Sequence, residues 1–212
     1  LNKKRFKQNM ENIAAEYAAI PVKKVDKIKV GIVGEIYMKY SPLGNNNLEA
    51  FLQQEDVEVE IPGLMDFIIY TCDNGATDAE LYGINKGAAL LTGFLKNYLV
   101  KMQNILIEAV KTQSCFKAPS SYDHIKSLVN GYIGTGTKMG EGWLLTAEML
   151  ELITSGVENI VCTQPFGCLP NHISGKGMIR KIKENYPNAN IVAIDYDPGA
   201  TRINQENRIK LM

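Results

Sequence analysis

Four short runs rich in β-branched residues constrain this chain more than any other feature: Ile28-Lys-Val-Gly-Ile-Val33, Val57-Glu-Val-Glu-Ile61, Asn159-Ile-Val-Cys162 and Asn190-Ile-Val-Ala-Ile194. They are too short for stable helices and are bounded by Gly, Pro and Asp, so they predict strands. Helical patterns separate them. Strands that are largely apolar, rather than alternating, are buried on both faces, and helices between them supply the cover. The expectation is an α/β fold with a four-stranded parallel sheet and helices on both faces. Asn45, Asn46 and Asn47 offer N-caps for a helix to about Gln54, which makes residues 28–61 one right-handed βαβ unit.

The rhythm breaks between about residues 62 and 140, where no convincing strand is found. Leu64–Tyr70 predicts a short helix with Cys72-Asp-Asn-Gly75 as its exit turn. Residues 86–112 then predict a helix of roughly 40 Å, with Leu91, Phe94, Leu95, Tyr98, Met102, Ile105, Leu106 and Ala109 along one side. Residues 122–130 predict another short helix. Phe6, Met10, Ile13, Ala14 and Tyr17 give residues 3–19 a helical period that Pro21 stops. The domain expectation is one α/β domain over residues 1–212 with a helical insertion at about 62–140. The first residue, Leu1, suggests a piece of a longer chain.

Lys and Arg number 23, as do Asp and Glu, so no polyanionic partner such as nucleic acid is indicated. The most apolar stretch, residues 88–110, is interrupted by Lys96, Lys101 and Glu108, which argues against a membrane span. Four cysteines in 212 residues do not make a disulfide framework, and a reducing, cytoplasmic setting is expected.

The chemistry-bearing residues gather after strand ends, where open α/β sheets place their sites. Glu35 and Tyr37 follow the first strand; Asp195 and Asp197 follow the last, where a plain Asx turn before Pro198-Gly199 competes with a functional role. The stretch Gln164-Pro-Phe-Gly-Cys-Leu-Pro-Asn-His172 follows the third. Cys162 ends that strand and is expected in its wall, whereas Cys168 precedes a helix N-terminus that favours a thiolate. Zinc is an alternative for Cys162, Cys168 and His172, although zinc sites use tighter Cys spacing and no second pair exists. The glycine-rich loop Gly134–Gly142 could cradle an anion or be a plain loop, and it matches neither the dinucleotide fingerprint nor Walker A. There is no Gly-x-Ser-x-Gly elbow, His124 reads as a solvated residue, and no catalytic residue is assigned.

Taken together, Val33-Gly-Glu-Ile-Tyr37 with Asn45-Asn-Asn47, Gly140-Glu-Gly-Trp-Leu-Leu-Thr146, Gln164–His172 and Ala193-Ile-Asp-Tyr-Asp-Pro-Gly199 resemble one family along nearly the whole chain. It is the large bacterial CoA-substrate-specific enzyme activases related to 2-hydroxyacyl-CoA dehydratases. The resemblance implies a Rossmann-like or flavodoxin-like domain at the C-terminal end of such a protein. In the dehydratases, paired domains of this kind hold an oxygen-sensitive iron–sulfur cluster through cysteine thiolates, and an ATP-hydrolysing activase delivers an electron to it. Relatives carry a double-cubane cluster in place of a [4Fe-4S] one. Carried onto this sequence, Cys168 is the foremost cluster ligand and Cys162 a second, with Glu35, Tyr37, Asn171 and His172 lining the site. The activase ATPase motifs and further cluster cysteines are absent, so the resemblance places them upstream and implies that this piece alone neither hydrolyses ATP nor holds a cluster. Partners implied are the upstream domains, a partner dehydratase and an acyl-CoA substrate. A domain-docking module and a small-molecule-binding domain remain as alternatives.

Overall fold

The computed structural model describes residues 2–212, which form two compact units. One comprises residues 26–63 and 125–212; the other comprises residues up to Val25 together with Leu64–His124.

The first unit is the α/β fold. Strands β1 (Lys29–Gly34), β2 (Glu58–Glu60), β3 (Asn159–Pro165) and β4 (Asn190–Tyr196) lie in the order β2-β1-β3-β4, and every pairing is parallel. β1 and β3 are central and nearly continuously buried, because both of their faces are covered. Helices α7 (Gly142–Thr154) and α9 (Ile179–Asn185) cover one face, packing around Val33, Ile160, Cys162, Ile191 and Ala193. Helices α3 (Leu48–Gln54) and α10 (Arg202–Lys210) cover the other, around Val30, Ile32, Val161, Ile194 and Tyr196. This is a Rossmann-like, flavodoxin-like arrangement. β2 is shorter than its sequence run, and its Glu58 and Glu60 reach Lys29 across the pair. β3 and β4 each run past the apolar stretch that predicts them, to Pro165 and Tyr196.

α7 is apolar on almost every side and buried along nearly its whole length. Its one buried ion, Glu148, meets the Lys39 Nζ at 2.8 Å. Lys39 lies on the five-residue helix α2 (Ile36–Tyr40), which sequence periodicity is too short to predict. Burial pulls the Lys39 ammonium down, but Glu148 and Tyr40 overcome it and leave it above its usual value. Burial also pushes the Glu148 carboxyl up, against the pull of Lys39.

The helix that the sequence predicts over residues 175–186 is a 3-10 turn at Lys176–Met178 followed by α9, and the expected loop before it holds a further short helix, α8 (Leu169–Ser174). α8 and the turn part at Gly175, where a Cβ would lie 2.7 Å from the Asn171 carbonyl and 3.0 Å from the Cys162 Sγ. Only a residue without a side chain lets the backbone approach β3 so closely.

The second unit contains α1 (Lys3–Ala18), α4 (Leu64–Tyr82) and α5 (Lys86–Lys111), and α6 (Tyr122–Leu128) carries the chain across the boundary. α5 has the predicted extent. α4 does not end at Cys72-Asp-Asn-Gly75 but continues for two more turns. Tertiary contacts hold the polar residues of this stretch in the helix. Asp73 accepts the Tyr122 hydroxyl at 2.9 Å and pairs with Lys96 at 3.0 Å, while Gly75 lies against Thr92. Burial, and then the Asp73 charge, push the Tyr122 hydroxyl far above its ordinary value, so it stays a donor.

Candidate functional site

The order β2-β1-β3-β4 reverses direction between β1 and β3, which makes their carboxyl ends the topological switch point. Gly34 ends β1 at φ +136°, and a Cβ there would sit 1.9 Å from the Thr163 carbonyl oxygen. The same carbonyl accepts the Glu35 N–H at 3.1 Å. β1 therefore turns off hard against β3, and Glu35 enters α2 as its N-cap, accepting the Met38 N–H at 2.9 Å.

Register explains the other half of the site. Ile160 pairs with Ile191, Cys162 with Ala193 and Gln164 with Asp195. Alternate residues share a face, so the row that begins in the α7–α9 core ends at the sheet edge in a polar pair. The Gln164 Nε2 donates to the Asp195 Oδ1 at 2.6 Å. His172 stands over this pair, with Nε2 at 3.4 Å from the Gln164 Nε2 and 3.7 Å from the Asp195 Oδ1. Its Nδ1 lies 2.8 Å from the Cys168 carbonyl oxygen, an acceptor, which assigns the Nδ1 proton. In the neutral ring Nε2 is then the acceptor facing the Gln164 amide.

Cys168 is the N-cap of α8 and is partly exposed. Asn171, wholly buried one turn on, donates its amide to the Cys168 Sγ at 3.1 Å. The remaining side-chain oxygens of Asn171 and Gln164 are buried and have no hydrogen-bond partner, so this group of residues carries two unsatisfied acceptors. Cys162 has a different environment. It is fully buried in the α7–α9 core, and burial, followed by Glu148, Asp195 and Glu141, pushes its thiol up to about 12. It serves here as a small core hydrophobe. Thiol labelling of the native chain should read the contrast directly. Cys168 is expected to react and Cys162 to remain at least about 100-fold slower until the α/β unit unfolds.

The predicted site residues therefore divide. Cys168, Asn171, His172 and Asp195 form one connected group. Glu35 lies at the neighbouring strand end but spends its carboxylate on its own helix, and Tyr37 is exposed beside Gly44. Asp197 takes the turn role, its Oδ1 accepting the Gly199 N–H at 2.9 Å. Gln164 is the residue that sequence reasoning did not single out. Its signal is the two-residue spacing from Ile160 through Cys162. Among the described residues, no group of three or more His, Cys, Asp or Glu side chains is placed to hold a metal ion.

The glycine-rich loop is closed on itself. Thr137 N–H bonds to the Gly134 carbonyl, Gly142 N–H to Met139, and Trp143 N–H to Thr137. The donors an anion would need at the start of α7 are thus already engaged, which favours the plain-loop reading. Glu141 in this loop accepts the Ile36 N–H at 3.1 Å and so ties α2 to α7. Burial raises its carboxyl above the ordinary range, outweighing the N–H bonds from Ile36 and its own backbone. The folded chain keeps a proton there at pH values where the unfolded chain has lost it, so stability falls as pH rises through the raised value. Glu141→Gln keeps an acceptor for Ile36 and cannot ionise. It should raise the thermal midpoint at about pH 8 and leave it unchanged at about pH 3, where the wild-type carboxyl is protonated in both states.

No helix among the described residues is long and apolar enough to cross a membrane. Comparison of the chain with protein families, with characterised proteins and with solved structures gives no match.

Proposed function

We propose that this chain is the C-terminal α/β domain of a protein related to the CoA-substrate-specific enzyme activases and 2-hydroxyacyl-CoA dehydratases, and that it contributes one thiolate, from Cys168, to an iron–sulfur cluster shared with other domains. The observation that carries the reading is the Cys168 thiol at the switch point with the buried Asn171 amide donating to its sulfur. An N–H aimed at sulfur stabilises the thiolate, the form that binds iron, and tunes the potential of iron bound there. The donor chemistry fits a one-thiolate contribution and no more, since Cys162 is buried in the core as a thiol. An iron–sulfur cluster, when bound, supplies one-electron chemistry at a potential set by its surroundings.

The remaining residues position the ligand. His172 donates through both its backbone N–H and its Nδ1–H to the Cys168 carbonyl, fixing the loop on α8. The Gln164–Asp195 pair holds the ends of β3 and β4 beneath it. Phe166 and Leu169 are exposed next to Cys168 and would restrict water around a ligated sulfur once covered. The reaction class is ATP-coupled, low-potential electron transfer toward a CoA thioester or another small molecule, in a cytoplasmic anaerobic metabolism. The test is the visible spectrum of the longer protein isolated without oxygen. The reading expects a broad charge-transfer band that Cys168→Ala weakens or abolishes; a colourless protein would favour a domain-docking role.

A further inference from the structure

Helix α5 carries an apolar seam with alternating four- and three-residue steps: Ile84 just before it, then Ala88, Leu91, Leu95, Tyr98, Met102, Ile105 and Ala109. That is the spacing of a helix built to pack along another helix. Phe6, Met10, Ile13 and Tyr17 repeat the same steps on α1, which packs on α5. Lys3 stands beside Lys101, whose hydrogen bond and charge hold its ammonium below its usual value, and Ala14 and Tyr17 lie with Val110. α1 therefore runs parallel to α5 and covers only the half of the seam that begins near Lys101. Met102, Ile107 and Ala109 are buried, whereas Leu91 is 71% and Phe94 75% exposed. Leu90, Leu95 and Tyr98 are exposed with them.

We infer that this uncovered half of the seam, on a face of α5 that α4 leaves open, is a self-association surface, which a second copy of the chain covers by packing its own α5 antiparallel across a two-fold axis near Phe94–Leu95. Three observations favour a second copy over another occupant. From residue 87 to residue 100 the only charged side chain is Lys96, and it is turned inward to Asp73 at 3.0 Å. The stripe can therefore meet itself without bringing like charges together, and it has no charge with which to select a different partner. Ile84, Leu90, Leu91, Phe94, Leu95 and Tyr98 together leave on the order of 600 Å² of side chain open, counting large side chains at ~150–200 Å² each. That matches the apolar share of the ~800 Å² each partner contributes to a standard interface. Finally, a seam with this period is self-complementary in the antiparallel sense, with Leu91 of one copy opposite Tyr98 of the other and the axis midway between them.

Sedimentation equilibrium on the 212-residue chain, at concentrations on the order of 1–100 µM, tests this. The wild type is expected to reach twice the monomer mass. Leu91→Glu and Tyr98→Lys, each at an exposed position and each checked for an unchanged circular dichroism spectrum, should weaken association at least ~30-fold. Mixing the two variants should restore a dimer, because Glu at 91 then faces Lys at 98 of the other copy. A wild type that stays monomeric, as it would if its own remaining residues or a different protein cover the stripe, overturns the inference. So does a dimer indifferent to Leu91→Glu, or a mixture of the two variants that fails to associate.

Discussion

Lys39→Met is expected to destabilise the α/β unit by about 3–5 kcal/mol, because it leaves Glu148 buried without its cation. The pair lies within the packing of α2 on α7, with both side chains almost completely enclosed. Removing either partner alone strands the other's charge, whereas removing both leaves a neutral pocket. The double variant Lys39→Met/Glu148→Met should therefore be closer to wild type than either single one, and a double-mutant cycle in urea should give a large favourable coupling. The pH dependence is diagnostic. In Lys39→Met, the Glu148 carboxyl has lost the group that opposed the upward push of burial, so it takes up a proton more readily in the folded state. The defect should then be largest at neutral pH and shrink as the solution is acidified. A single substitution as mild as the double one would mean that the pair is not enclosed as described.

Gly34→Ala is expected to be of similar or greater severity, at least about 3 kcal/mol, from strain and overpacking together. The position combines a φ of +136° with a β-carbon site 1.9 Å from the Thr163 carbonyl oxygen, and that oxygen is backbone in the neighbouring central strand. Neither β1 nor β3 can retreat without breaking its ladder. Gly63→Ala is the control, since nothing lies within 4 Å of the added carbon. Chemical unfolding of the two variants should separate them clearly. Equal midpoints would show that the turn at the switch point is not as tight as the geometry requires.

The sheet was legible in the sequence because β-branched runs of four to six residues have few alternatives, and all four became strands in the expected parallel sheet. Legibility failed where tertiary contacts overruled local chemistry. Asp73, Asn74 and Gly75 have the composition of a turn, yet Tyr122, Lys96 and Thr92 accommodate the aspartate and the glycine within α4. Gln164 and Pro165 resemble loop residues, but β3 continues through them because β4 supplies a partner for each. α2 is short, and its stability comes from Glu35 at its cap and the buried Lys39 rather than from an apolar face of its own. In the site, Cys168 was visible because it precedes a helix in a Pro- and Gly-bracketed loop. The separation of Cys162 from Cys168 was visible too, as strand against loop. The two-residue spacing from Ile160 marks the face of β3 that Gln164 shares, but its role depends on its register with Asp195, which local spacing does not give.

The central claim is that Cys168 is the thiolate this fold presents for iron. Its most direct test is the iron and acid-labile sulfide content of the longer protein prepared without oxygen, with wild type, Cys168→Ala and Cys162→Ala measured side by side. Bound iron and sulfide are expected in the wild type, with a marked loss in Cys168→Ala and retention in Cys162→Ala, whose thiol lies in the core. Iron content unchanged by Cys168→Ala, or no iron in the wild type, would contradict that claim.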